Sequence, residues 1–172
     1  LMFHAKEVII DANRIVIMGS SAGGHLALMT GLLQKDHAFD QNCQGINDFT
    51  IAAIIDKYGP TDLSIVSSLD HIHKSAYSWL KEKVNDKKFL QSISPLYYVS
   101  KNSPPVFIVH GDSDPTVPYE QSVLLHNKLE KMGVKNKFIT VPGGHHGKFP
   151  PDEKSKVSKA IIDFIISCGI VQ

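Results

Sequence analysis

Cysteine is scarce in this chain, with Cys43 and Cys168 the two among 172 residues. They lie far apart and match no metal-ligand or redox motif. Unpaired thiols suit a reducing compartment such as the cytoplasm, with one disulfide between them left open. A surplus of charge is missing too. The formal net charge is +1, which offers no field that would draw nucleic acid or an anionic membrane surface. The lysines are scattered, as in Lys81, Lys83, Lys87, Lys88 and Lys154, Lys156, Lys159, and read as solvated helix faces. No apolar run approaches membrane-spanning length, and Leu-Met-Phe-His-Ala-Lys-Glu at the start has none of the marks of a signal peptide. The dinucleotide-binding G-x-G-x-x-G and the Walker lysine are absent. Repeats and low-complexity segments are absent as well. What remains is a globular composition, 42% hydrophobic and 20% charged, of a length that supports one domain with a sizeable core.

Against that background one segment stands out. Ile17-Met-Gly-Ser-Ser-Ala-Gly-Gly24 is an apolar strand running into G-x-S-x-G and then a helical pattern. In a nucleophile elbow a serine sits on a strained strand-to-helix turn with its Oγ held clear of the backbone. Ser21 is that residue here, with Ser20 at a variable position. Gly19 and Gly23 flank it where a Cβ at either position is expected to clash. The context fits: Arg14–Met18 is a short β-branched run, and Leu26, Leu28, Met29, Leu32 and Leu33 follow at helical spacing without proline. The competing reading is a glycine-rich turn that packs a helix on a sheet or binds phosphate.

Four runs have strand character: Arg14–Met18, Ile51–Asp56, Val106–His110 and Lys137–Val141. Helical or irregular stretches separate them, so a mostly parallel α/β sheet flanked by helices is expected. Glu120–Met132 reads as an amphipathic helix with Val123, Leu124, Leu125 and Leu129 inward and Gly133 as its stop. Lys154–Ser167 reads as a second, with Val157, Ile161, Phe164 and Ile165 on one face. Between residues 61 and 100 the chain is polar and mixed, with one or two short helices in a small cap-like insertion.

A serine hydroxyl needs an adjacent base, itself oriented by a third group. In open parallel sheets such groups collect at the carboxyl ends of strands. The third strand run ends in Gly111-Asp-Ser-Asp-Pro-Thr-Val-Pro118, with Asp112 and Asp114 as acids. The fourth ends in Pro142-Gly-Gly-His-His-Gly147, with His145 and His146 as bases. Ser, Asp, His is also the chain order of α/β-hydrolases. Adjacent histidines rarely point at one ion, so the pair argues against a metal.

Taken together, Gly19-Ser-Ser-Ala-Gly-Gly-His-Leu-Ala27, Tyr58-Gly-Pro-Thr-Asp-Leu63, Ser94-Pro-Leu96, His110-Gly-Asp-Ser-Asp-Pro-Thr-Val-Pro118 and Gly143-Gly-His-His-Gly147 resemble the α/β-hydrolase esterase/lipase family. The branch with acetyl-xylan-esterase-like enzymes, near the prolyl-oligopeptidase-type catalytic domains, is the most similar. The resemblance runs from Asp11 to the last helix. It implies a carboxylic-ester hydrolase working through an acyl-enzyme on a small or carbohydrate-linked ester, with no cofactor and no metal. Matched motif by motif, Ser21 is the nucleophile, Asp114 the triad acid and His146 the base. Asp112 then braces its loop through local backbone N–H groups. The backbone N–H of Ala22 is one oxyanion donor.

Other residues are read more plainly: Asp62 as a helix N-cap, His25 as packing in the elbow helix, and His71 and His73 as part of an exposed loop. Trp79, Tyr97 and Tyr98 either line a pocket or pack. A serine aminopeptidase or oligopeptidase domain is the enzymatic alternative, and a non-catalytic module retaining the fold is the alternative of another class.

The family pattern includes an H-G-G-type oxyanion loop, and none precedes Ser21. The chain is therefore expected to be the C-terminal portion of such a hydrolase, weakly active or inactive alone. The strand before Ser21 is expected at a sheet edge that invites a homo-oligomer. Light scattering checks this: pairing through the edge gives a dimer or larger species, and a monodisperse monomer counts against it.

Overall fold

The computed structural model describes residues 11–33, 39, 49–65 and 80–171. Cys43, His71, His73 and Trp79, and the readings attached to them, lie outside the described residues. Four strands appear among the described residues, β1 (Ile15–Ser20), β2 (Ile51–Lys57), β3 (Val106–Gly111) and β4 (Asn136–Val141). They form one sheet in the order β1-β2-β3-β4, with every neighbouring pair parallel. The helices are α1 (Ala22–Leu33), α2 (Lys87–Ser92), α3 (Glu120–Lys131) and α4 (Pro151–Ser167). Short 3-10 turns cover Lys81–Asn85 and Pro95–Tyr98.

The central strands are mostly apolar because both of their faces are covered. All six residues of β3 are buried. Their side chains alternate between two cores, as the period of two requires. Ile54, Val106 and Ile108 face one way, packing with Ala27, Leu28 and Leu32 of α1 and Leu125 and Leu129 of α3. Ala53, Ile55, Phe107 and Val109 face the other way, against Val157 and Phe164 of α4. The Phe107 and Phe164 rings meet edge-on at 5.6 Å between centroids. β1 lies at an edge of the sheet among the described residues. Met18 on it is 62% exposed and Leu26 on α1 is 63% exposed. Leu26 thus falls off the apolar stripe where its spacing had placed it.

The expected helices form, with two differences. α4 begins at Pro151 rather than Lys154, because proline fits the first helical turn, where its missing N–H has no acceptor to lose. On α3, Gln121 and Ser122 are buried beside Leu125 and Leu129, whereas Val123 and Leu124 are only partly covered. Both long helices end in the same way. Gly133 N–H donates to the Glu130 carbonyl and Val134 N–H to Leu129, at 3.0 Å each. Gly169 and Ile170 repeat the pattern on Ile166 and Ile165, with both glycines at positive φ. Between β2 and β3, Leu63, Leu80 and Leu90 form a small cluster separate from the two main cores. Asp86 caps α2 by accepting the Phe89 N–H at 3.0 Å.

Because the strands are parallel, the segments after all four leave the same edge of the sheet. Ser21 follows β1, Tyr58-Gly59 follows β2, Asp112–Pro118 follows β3 and Pro142–Gly147 follows β4.

Leu129, fully buried between α3 and the sheet, tests this packing. Leu129→Ala is expected to lose about 2–5 kcal/mol in urea unfolding. Leu26→Ala, at an exposed site, is expected to stay within about 0.5 kcal/mol of the parent.

Candidate active site

The turn after β1 is built from three backbone constraints. Ser21 has φ +56°, the left-handed region that costs a non-glycine residue on the order of 1 kcal/mol or more. Its N–H donates to the Lys57 carbonyl at 2.8 Å, and its own carbonyl accepts the His25 N–H at 3.0 Å as α1 begins. The crossing of strand and helix is so close that a Cβ on Gly19 would collide with the Gly23 carbonyl. Gly23 behaves otherwise than expected. A Cβ there meets nothing within 4 Å, because it is the carbonyl of Gly23, not its Cα, that faces the strand. The second tight position is Gly24, where a Cβ would strike the Asp56 carboxyl and come within 3.1 Å of Gly59 Cα.

Ser21, His146 and Asp114 meet in one hydrogen-bonded chain. Ser21 Oγ lies 2.8 Å from His146 Nε2, and His146 Nδ1 lies 2.7 Å from Asp114 Oδ2. A carboxylate only accepts, so Nδ1 carries the proton and Nε2 is left to accept from the serine hydroxyl. The His146 side chain is 22% exposed while that of Asp114 is fully buried. Asp114 Oδ1 accepts the backbone N–H groups of Thr116 at 2.7 Å and Val117 at 3.0 Å. Burial pushes the Asp114 carboxyl up, but hydrogen bonds from His110, His146, Thr116 and Val117 outweigh it and bring its pKa down to about 2. Ala22 is the first residue of α1, where backbone N–H groups have no acceptor within the helix.

The remaining candidates fall outside that chain. His145 is exposed. Asp112 accepts the Gly143 N–H at 2.7 Å and the Ser113 hydroxyl at 3.2 Å. It therefore ties the β3 loop to the β4 loop instead of bracing its own loop through local backbone. Asp62 is not a helix N-cap among the described residues. Its Oδ1 accepts the Ser64 N–H and hydroxyl in a tight turn, and its Oδ2 accepts from Tyr97 Oη at 3.2 Å. His25 packs in the elbow helix as expected, with Nδ1 donating to the Pro60 carbonyl at 3.0 Å. Tyr98 Oη donates to the Ser92 carbonyl.

Three further residues at the site have no role assigned from the sequence. Tyr58 has φ +48° and sets its ring edge-on against His146 at 4.8 Å and Phe149 at 5.9 Å. His110 is fully buried behind Asp114. Asp56, at the end of an otherwise apolar strand, is also fully buried. Its Oδ1 accepts the Gly59 N–H at 3.0 Å, and its Oδ2 has no partner among the described residues. Burial pushes this carboxyl up to about 8 despite the Gly59 hydrogen bond. Asp56 shows in the sequence as a polar residue interrupting a strand buried on both faces, whereas Tyr58 and His110 open two of the motifs that carry the family resemblance.

A serine on a nucleophile elbow, at the carboxyl edge of a parallel sheet and joined to a histidine and an aspartate, defines the class of an α/β-hydrolase. The chain belongs to the BD-FAE family, whose model matches residues 1–129. It is 29% identical over 164 residues to esterase LipQ of Mycobacterium tuberculosis, covering 90% of this chain and 38% of that protein. It is 26% identical to dipeptidyl aminopeptidase BIII of Pseudoxanthomonas mexicana, over 98% of this chain and 24% of that one. Among solved structures it is similar to a truncated form of a carbohydrate esterase from gut microbiota. The TM-score is 0.74 at 26% identity, with 95% of this chain and 64% of that one covered. The chain thus spans little more than a third of the length of LipQ.

Asp56 yields a sign that can be measured. Folded, its carboxyl holds a proton up to about pH 8, whereas in the unfolded chain it releases it near 3.8. Between those values the folded state binds more protons, so this group lowers stability as pH rises, by at most about 1.4 kcal/mol per unit. Asp56→Asn is expected to remove that slope. Its stability in urea relative to the parent should rise steadily from pH 4 to pH 8, and a constant difference would refute the assignment.

Proposed function

We propose that this chain carries the catalytic serine, histidine and aspartate of a carboxylic-ester hydrolase, with Ser21 as nucleophile, His146 as general base and acid, and Asp114 as the group that orients it. The observation that carries the reading is the unbroken chain Ser21 Oγ–His146 Nε2 at 2.8 Å and His146 Nδ1–Asp114 Oδ2 at 2.7 Å. In the first step His146 Nε2 takes the Ser21 proton as Oγ attacks the ester carbonyl. The proton then passes to the departing alkoxide, which leaves as the alcohol. Water repeats the sequence on the acyl-enzyme, releasing the acid and returning the proton to Ser21. Asp114 keeps the proton of the resting imidazole on Nδ1 and stabilises the imidazolium that forms in each half-reaction. The backbone N–H of Ala22, at the positive end of α1, is one donor to the tetrahedral oxyanion. A donor of this kind is worth about 3 kcal/mol of barrier.

An ester is favoured over a peptide because LipQ and the gut carbohydrate esterase are esterases by name. On that basis we read the substrate as a small or carbohydrate-linked ester. Residues 61–100 are read as a cap-like insertion bordering it, supported by the separate Leu63, Leu80 and Leu90 cluster. The aminopeptidase relative keeps peptide amides as the second reading.

A fluorophosphonate probe tests the nucleophile directly. The parent chain is expected to be labelled at Ser21, with Ser21→Ala unlabelled and His146→Ala slowed by about 10³-fold or more. Absence of label on the parent would overturn its reading as a competent hydrolase as it stands. In the full-length protein, hydrolysis of p-nitrophenyl acetate well above that of aminoacyl p-nitroanilides is expected, and the reverse order would favour the peptidase.

A further inference from the structure

Asp114 is held by more donors than a triad needs. Beyond His146 and the two backbone N–H groups, its Oδ2 lies 3.2 Å from Nε2 of His110. His110 sits on β3, fully buried, with every polar atom of its ring engaged. Nε2 also lies 3.0 Å from the Val117 carbonyl, and Nδ1 lies 2.7 Å from Ser122 Oγ. A carboxylate and a carbonyl both only accept, so Nε2 carries the ring proton and is shared between them. Nδ1 is then the acceptor, and the Ser122 hydroxyl on α3 donates to it. The ring is further fixed edge-on between Tyr58 at 6.3 Å and Tyr119 at 5.8 Å. Two imidazole N–H groups therefore converge on one carboxylate oxygen, one ring reaching on to Ser21 and the other anchored to Ser122.

We propose that His110 is a positioning residue of this site, whose Nε2–H orients the Asp114 carboxylate and competes with His146 for the charge on Oδ2, thereby setting the basicity of His146. The proposal rests on the reading of His146 as general base. A carboxylate that gives part of its charge to a second donor stabilises the His146 imidazolium less. The arrangement also explains why a fully buried carboxyl group is ionised at all: each of its oxygens faces two donors. The ionisable groups facing the imidazole pair are Asp114, Tyr58 and Tyr119. No lysine or arginine is paired with Asp114 among the described residues.

The test is the titration of His146 in the full chain, followed by NMR on ¹⁵N-histidine-labelled protein, a readout that needs no turnover. His110→Phe keeps a ring between the tyrosines but removes the donor, and is expected to raise the His146 titration midpoint by roughly half a unit to one unit. His110→Gln, whose side-chain amide can donate towards Asp114, is expected to return it to within a few tenths of the parent. Where turnover is measurable, the acid limb of kcat/KM should move with the NMR midpoint. If His110→Phe does not fold, Ser122→Ala carries the test. It loosens the anchor on Nδ1 and should shift the midpoint the same way by less. An unchanged His146 midpoint in every folded variant would overturn the proposal and leave His110 a packing residue. Fluorophosphonate labelling is independent of that outcome, so failure here is distinguishable from failure of Ser21 as nucleophile.

Discussion

The site depends on one backbone position. Ser21 adopts a left-handed conformation that a serine enters only at a cost, and it stays there because both of its peptide groups are spoken for. Its N–H is tied to the end of β2 and its carbonyl to the first turn of α1. Strand and helix can cross so closely only because Gly19 has no side chain and Gly24 lets the Gly59 turn and Asp56 in beneath the helix. Remove that geometry and Ser21 Oγ no longer points out of the elbow, whatever residues wait for it.

Polar groups are also buried around the segments that follow β2 and β3. Buried polar groups are costly unless satisfied, and here most of them are linked across elements. Gln121 of α3 accepts the N–H groups of Thr61 and Asp62 on one oxygen and donates to the Asp62 carbonyl. Ser122, its neighbour, anchors His110. Among the described residues Asp56 is the exception, with one oxygen unpartnered, and a Cβ on Gly24 of the elbow would strike its carboxyl. Buried partners of this kind leave little freedom to the loops after β2 and β3, which is what a serine, a histidine and an aspartate brought from three strand ends require.

Much of this is legible in the sequence. The apolar runs marked all four strands to within about two residues at each end, because strands buried on both faces are continuous in hydrophobicity. Ser21, Asp114 and His146 stood out because each sits in glycine-bearing segments directly after a strand. Misreadings came where hydropathy misjudges a residue. Val123 and Leu124 looked more inward than Gln121 and Ser122, since hydropathy cannot see that a buried glutamine is fully bonded. The long-range partners of Asp112 and Asp62, Gly143 and Tyr97, lie 31 and 35 residues away and so left no local signal beside the bonds to Ser113 and Ser64.

By itself, then, the sequence determined the parallel α/β layering, the elbow and the order serine, aspartate, histidine, all of which are local patterns repeated at strand ends. Tertiary structure alone decided which neighbours share an atom. It put His146, the histidine the motif had singled out, within 2.8 Å of Ser21 Oγ. It moved the steric need from Gly23 to Gly24, brought Tyr58 edge-on to His146, and put a second imidazole on Asp114. Such contacts depend on how separate strands align in register across the sheet, and residues far apart in the chain carry no local trace of that register.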